Sequence, residues 1–263
     1  MNENSTPKII SNGSFVEAFS SVFTSLSLVK QYKLYAYFII PFLINIVVLS
    51  LIFYFSFTTL KPMIQNLITG SGIVYDILRF IITPLLLIIQ IIITIFIYSI
   101  IGNIVTAPFN DFLSQKVEIK AFGEKFDEEF SLKLIIGDII RVAANLIKLL
   151  LLMAMAHILI LFLNFIPVLG SILYTILGFM ITAFFFGFQF YDYPLERRRF
   201  TFGKKLKITL RFAPQVLGVG VGFFLLSLIP IVNFLGLNMA TISATVMFSN
   251  HIKPVMEQNK NPD

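Results

Sequence analysis

Ionised side chains are missing from four long stretches of this 263-residue chain: Leu34–Leu60, Phe80–Asn110, Leu149–Tyr191 and Phe212–Asn250. A charge at the middle of a bilayer costs about 2.5–3.5 kcal/mol, so runs of this length suit lipid. Composition agrees. Hydrophobic residues make up 57% of the chain, charged residues only 13%, and the mean hydropathy is +0.88. A soluble chain carries about 25% charged residues to cover its surface.

Length separates the four stretches. As helices, residues 34–60 would extend about 40 Å and residues 80–110 about 46 Å, enough to cross a hydrocarbon core of about 30 Å once. The third and fourth are too long for one crossing. Each is interrupted near its middle by turn chemistry: Pro167 with Gly170, and Pro230 with Asn233. Each is therefore expected to fold back as a helical hairpin with its tip at those residues. The run Leu149–Ile166 would reach only about 27 Å, and both tips are uncharged. Hairpins that half-penetrate the membrane fit this better than full crossings. The fold class expected is an all-α integral membrane protein, a single domain over residues 1–263. It would hold two long transmembrane helices (34–60 and 80–110), an amphipathic cytoplasmic segment (111–148), and the two hairpins (149–191 and 212–250). Phe130-Ser131 and Phe200-Thr201 precede the hairpins in parallel, as in an internal repeat.

Residues 1–13 are polar and lack a basic region before an apolar core, so no cleavable signal is expected. Residues 14–30 are amphipathic. Phe15, Ala18, Phe19, Val22, Phe23, Leu26 and Val29 share one face, and Ser14 with Glu17 forms a capping box. The helix can lie on the membrane or pack on its own protein; both readings stand. Of the 20 Lys and Arg, only Lys61 and Arg79 fall between the first two runs. The positive-inside rule makes the side holding the other basic residues cytoplasmic, with both termini there.

Several chemistries are excluded or disfavoured. There is no Cys, hence no disulfide or thiolate metal site. The two His, His157 and His251, are far apart, and no nucleophile–base set or metal spacing is present. No cofactor and no metal is expected, nor is an enzyme. The +6 net charge flanks apolar runs and reads as cytoplasmic-side Lys and Arg rather than as a nucleic-acid surface. The basic run Arg197–Arg211 is expected to anchor to anionic headgroups or to concentrate anions at a cytoplasmic mouth. Gly218, Gly220 and Gly222 alternate inside an apolar run, which suits close helix packing. Ser99, Asn103, Thr106 and Asn110 recur at steps of four, three and four on one side of the second span. They are candidates for facing a wet, uncharged pathway. Otherwise these residues, like the amides Asn45, Gln90, Asn145, Asn164, Gln189, Gln215, Asn233 and Asn238, bond between helices.

At Pro108 the second span leaves lipid. Asn110 or Thr106 is positioned to cap a new helix there. Phe109, Phe112, Leu113 and Val117 would share its apolar face, Asp111, Gln115 and Glu118 another, and Gly123 would end it. This stretch, with Pro108, Phe109, Asn110 and Asp111 at its head, closely resembles the signature of the CysZ sulfate permeases and the related etoposide-induced protein 2.4 family. Ile40-Pro41-Phe42-Leu43-Ile44-Asn45, Gln189-Phe190-Tyr191-Asp192-Tyr193-Pro194, Ile229-Pro230-Ile231-Val232-Asn233 and Ser243-Ala244-Thr245 are similar to further family motifs, in the same order. The resemblance implies two long spans, two half-penetrating hairpins, assembly as a homo-oligomer in the bacterial inner membrane, and inward passage of a small inorganic anion, sulfate first. One element departs. Where the family has Gly-Leu-Arg-Arg to bind sulfate, this chain has Lys33-Leu34-Tyr35-Ala36. Lys30, Lys33 and Tyr35 are what it offers there. A Lys is a point charge, not the planar fork of Arg. A non-transporting protein of the same family that organises the bilayer is the alternative.

Overall fold

The computed structural model describes residues 14–60, 62, 70, 72–126 and 132–258, which are helical apart from short connections. They fall into two compact units, one within Met1–Tyr35 and Asn110–Asp263, the other within Ala36–Phe109.

In the first unit, α1 (Phe15–Tyr32) starts at Ser14, whose hydroxyl accepts from the Glu17 N–H at 3.2 Å. It stops at Lys33, in the left-handed region at φ 52°. Ala18, Val22, Ser25 and Val29 are buried against the protein, while Phe15, Phe23 and Leu26 stay exposed. The apolar face is thus shared between a protein contact and the outside.

The second unit contains α2 (Ala36–Phe55), continued by a π-turn over Ser56–Leu60, and the start of α3 (Ile73–Phe122). Gln90 donates to the Ser56 carbonyl at 3.0 Å and to its hydroxyl at 2.9 Å, and the Ser56 and Thr94 hydroxyls meet at 2.9 Å. Polar groups among apolar neighbours are expensive unless paired, and this pairing fixes where α2 and α3 touch.

The helix α3 differs from expectation. No cap interrupts it at Pro108. Fifty residues form one helix, passing through Pro84 and Pro108. Neither Thr106 nor Asn110 starts a new helix, because residues on both sides keep helical pairing. Gly123, at φ 70°, does end it, and its N–H donates to the Ile119 carbonyl at 3.1 Å. Residues 111–148 are accordingly divided between α3 and α4 (Leu132–Leu161).

The third charge-free stretch is a helix–break–helix. The arm α4 tightens into a 3₁₀ turn at Phe162–Phe165, and α5 (Leu169–Arg197) returns. His157 joins the arms: its Nδ1 lies 2.9 Å from the Met153 carbonyl and its Nε2 3.2 Å from the Thr182 hydroxyl. At the tip, a Cβ on Gly170 would collide with the Leu163 carbonyl. Pro167 lies in the turn itself. Next comes α6 (Phe202–Arg211), which turns by 92° into α7 (Ala213–Ser227). The chain then breaks at Leu228–Ile229, and Pro230 opens α8 (Pro230–Met247), where its missing N–H costs no hydrogen bond. A π-turn and the short α9 (Lys253–Gln258) follow. The parallel between the hairpins is therefore partial. The amphipathic lead-in to the first belongs to the same helix as its arm, whereas the second is bent off at Phe212, two residues before Pro214.

The alternating glycines are explained by two neighbours. A Cβ on Gly218 or Gly222 would strike Phe15, Ala18 or Val22 of α1, and one on Gly220 would strike the Ala183 carbonyl of α5. Residues two apart lie on nearly opposite sides of a helix, so α7 is thin on both. Rings fill the rest of this core: Phe223 meets Phe190 at 4.9 Å and Phe186 at 5.4 Å, both edge-on.

Among the described residues, Ala36–Thr59, Tyr75–Ile95, Ala144–Phe165 and Leu169–Arg197 are long and apolar enough to cross a membrane, with α6 and α7 a further bent pair. Only 6% of the first of these is buried in protein. Such surface is compatible with lipid and not with water. The fold is an all-α, multi-spanning membrane fold.

Candidate functional site

Three quoted motifs converge on one place in the first unit. The end of α3 presents Asn110, Leu113, Ser114, Val117 and Glu118 as one stripe, all buried. Spacings of three and four put them on one face. The end of α5 packs on that stripe with Tyr193, Arg197 and Arg198. Asn110 lies beside Tyr193. All three guanidinium nitrogens of Arg197 are engaged. Its Nη1 donates to the Asp111 carbonyl at 3.0 Å and carboxylate at 2.5 Å, its Nη2 to the Ser114 hydroxyl at 2.6 Å, and its Nε to Glu118 at 3.1 Å. Arg198 donates to the other oxygen of Glu118 at 2.8 Å and lies 4.5 Å from the Phe248 ring. Thr245 of α8 donates to Ser114 at 2.8 Å. Ser114 is the point where α3, α5 and α8 share hydrogen bonds.

A second cluster lies along the same end of α5. Glu196 is held by Arg141 and Lys205, and by Asn145 at 3.2 Å. Lys205, with no exposed surface, also pairs with Asp192 at 2.6 Å. Across the two clusters, four cations (Arg141, Arg197, Arg198, Lys205) face four carboxylates (Asp111, Glu118, Asp192, Glu196). Buried charges are tolerated only when paired in this way. The arrangement is a clamp with its charge balanced internally. Two expectations change as a result. Glu118 does not lie on a face apart from Leu113 and Val117 but is buried with them, between two arginines. Arg197, Arg198 and Lys205 point into the protein rather than at headgroups, because carboxylates from α3 and α5 lie within their reach.

A third tie joins the chain's ends. His251 Nε2 lies 3.1 Å from the Glu17 carboxylate, and the Ser21 and Ser243 hydroxyls meet between α1 and α8.

The profile of the sulfate transporter CysZ/etoposide-induced protein 2.4 family matches residues 21–237. The chain belongs to that family. Its relatives include proteins named sulfate transporter CysZ from Pectobacterium atrosepticum, 26% identical over 80% of this chain and 76% of the relative, and from Vibrio parahaemolyticus, 27% identical over 82% and 87%. The one from Pseudomonas aeruginosa is 26% identical over 85% and 90%. These names are those of transporters, not enzymes, and among the described residues no group of three His, Asp or Glu could hold a metal.

Within this CysZ-like frame the other candidates are scattered. Lys30, Lys33 and Tyr35 are exposed at and just beyond the C-terminal end of α1, where Lys120 donates to the Tyr32 carbonyl at 2.6 Å. Lys30 in the last turn complements the negative end of the helix. Pro108 is exposed and Phe109 half-buried; Asp111 carries the ion pair described. The side chains of Ser99, Asn103, Thr106, Asn45, Pro230 and Asn233 lie outside the described residues, as do Lys61, Phe130 and Ser131. Sequence reasoning missed Arg141, Asn145, Asp192, Glu196 and Lys205 as a set. The available signal was Asp192 and Glu196 one helical turn apart at the edge of an apolar run, a costly placement without partners.

Proposed function

We propose that this chain is an anion permease of the bacterial inner membrane, of CysZ type, with sulfate or a related oxyanion as substrate, working as a homo-oligomer. The observation that carries the reading is family membership across most of the chain, with relatives named for sulfate transport. Neutral donors support it. Ser99, Asn103, Thr106 and Asn110 repeat along α3. Such groups can solvate an anion without trapping it. Lys33 and Tyr35 belong to the segment that corresponds by resemblance to the family's sulfate-binding element, with Lys30 close by; in this reading they offer diffuse attraction rather than a bidentate fork.

In this reading both termini are cytoplasmic and the hairpins dip in from that side. The lengths of α7 and α8, about 22 Å and 27 Å, suit a hairpin that ends within a hydrocarbon core of about 30 Å.

The test is flux. Purified protein in liposomes is expected to admit labelled sulfate faster than empty vesicles, and Asn103→Leu to lower the rate at unchanged thermal stability. Absence of flux for sulfate and other oxyanions, with the protein folded, would overturn the reading in favour of a membrane-organising role.

A further inference from the structure

The basic run is split by the fold into two populations. Arg197, Arg198 and Lys205 are committed to carboxylates. Lys204, Lys207 and Arg211 are exposed, and among the described residues no carboxylate forms an ion pair with them. At 3.6 residues per turn the three fall within an arc of about 60°, on the side of α6 away from buried Lys205 and Thr209. No acidic residue occurs in α6. Two rings accompany the cations: Lys204 Nζ lies 4.1 Å above Phe200, and the Arg211 guanidinium 5.8 Å from Phe212. Leu210, on the edge of the same face, is 56% exposed.

The bend supplies the setting. The helix α6 meets α7 at 92°, and α7 has no charge along its length. A helix at right angles to one that enters the bilayer lies in the headgroup plane. There its cations reach phosphates, while rings and Leu210 reach the first methylenes.

We propose that the Lys204/Lys207/Arg211 face of α6 is a docking surface for the phosphodiester headgroups of anionic phospholipids. It rests on α7 entering the bilayer, but not on sulfate being the substrate. Each basic residue near an anionic surface adds about 1 kcal/mol, roughly fivefold, so three together give a preference on the order of a hundredfold at this site.

The experiment uses the full chain in nanodiscs of mixed phosphatidylglycerol and phosphatidylcholine, with retained lipids counted by native mass spectrometry. Wild type is expected to retain phosphatidylglycerol preferentially. The triple variant K204Q/K207Q/R211Q is expected to lose at least tenfold of that preference, and K125Q, an exposed lysine elsewhere, to keep it. Should the triple variant fail to fold, the three single variants are each expected to lose severalfold. An unchanged preference in folded variants would overturn the proposal. So would displacement of the lipid by millimolar inorganic phosphate, which would make this a free-anion site. Sulfate flux of the same variants is measured in liposomes, so loss of lipid preference and loss of transport are read separately.

Discussion

Arg197 illustrates what one residue can decide. A guanidinium offers five N–H donors in a fixed plane, and this one directs them to a carbonyl, two carboxylates and a hydroxyl, all from α3. Lysine cannot copy that fork. Arg197→Lys is expected to lower the thermal midpoint of the purified protein. Arg197→Met should cost about 3–5 kcal/mol, the usual penalty for breaking a buried pair. Arg141→Lys should cost no more than about 1 kcal/mol, because Arg141 is 38% exposed and Glu196 keeps Lys205 and Asn145. Equal destabilisation by the Arg197 and Arg141 changes, measured by thermal unfolding in detergent, would contradict this ranking. Sequence alone marked the arginine run but not its direction. A helix periodicity records which residues share a face, not what that face meets.

Helices approach one another here by removing side chains. On α7, Gly220 lies against the Ala183 backbone while Gly218 and Gly222 lie against α1. Gly220→Ala is expected to destabilise by about 1–3 kcal/mol through overpacking. Gly203→Ala on α6, with open space around its Cβ position, should stabilise by up to about 1 kcal/mol through helix propensity. Thermal unfolding of the two variants side by side checks the contrast in sign. The first hairpin carries strain at its tip. Val168 adopts φ 63°, ψ −58°, and the Leu169 N–H donates to the Pro167 carbonyl at 2.7 Å, a tight turn that a β-branched residue rarely tolerates. The side chain is 81% exposed, so Val168→Gly loses little packing. Relief of that strain should raise stability by about 1 kcal/mol, and an unchanged or lower midpoint would show that the turn holds none. Pro167 with Gly170 and Pro230 with Asn233 marked both breaks in the sequence; the helices break at Ile166–Val168 and at Leu228–Ile229, and Asn233 falls inside α8. The 92° bend was not legible, since it depends on how α6 packs, as well as on Pro214.

For the molecule as a whole, the absence of Cys makes topology directly testable by single substitutions. Val168→Cys is expected to resist an impermeant thiol reagent from both sides of intact and inverted membranes, despite its exposure on the protein, because lipid covers it. Lys125→Cys should react from the cytoplasmic side only. Labelling of the Val168→Cys variant from the outside would show that the first hairpin crosses completely. The four charge-free stretches, the helical class and the family were determined by the sequence itself, because the cost of an ion in hydrocarbon acts residue by residue and leaves its record in composition and order. That α3 continues through Pro108 was not visible. Only the tertiary structure decided which charges are paired internally. Glu118, Arg197 and Lys205 look like surface residues in one dimension. Glu118 and Arg197 become part of a balanced clamp only when residues some 80 positions apart are brought together, and Lys205 only when α6 folds back on Asp192 and Glu196 of α5. Their burial is tolerated because partners arrive from other helices, and pairing at that separation is a property of the fold.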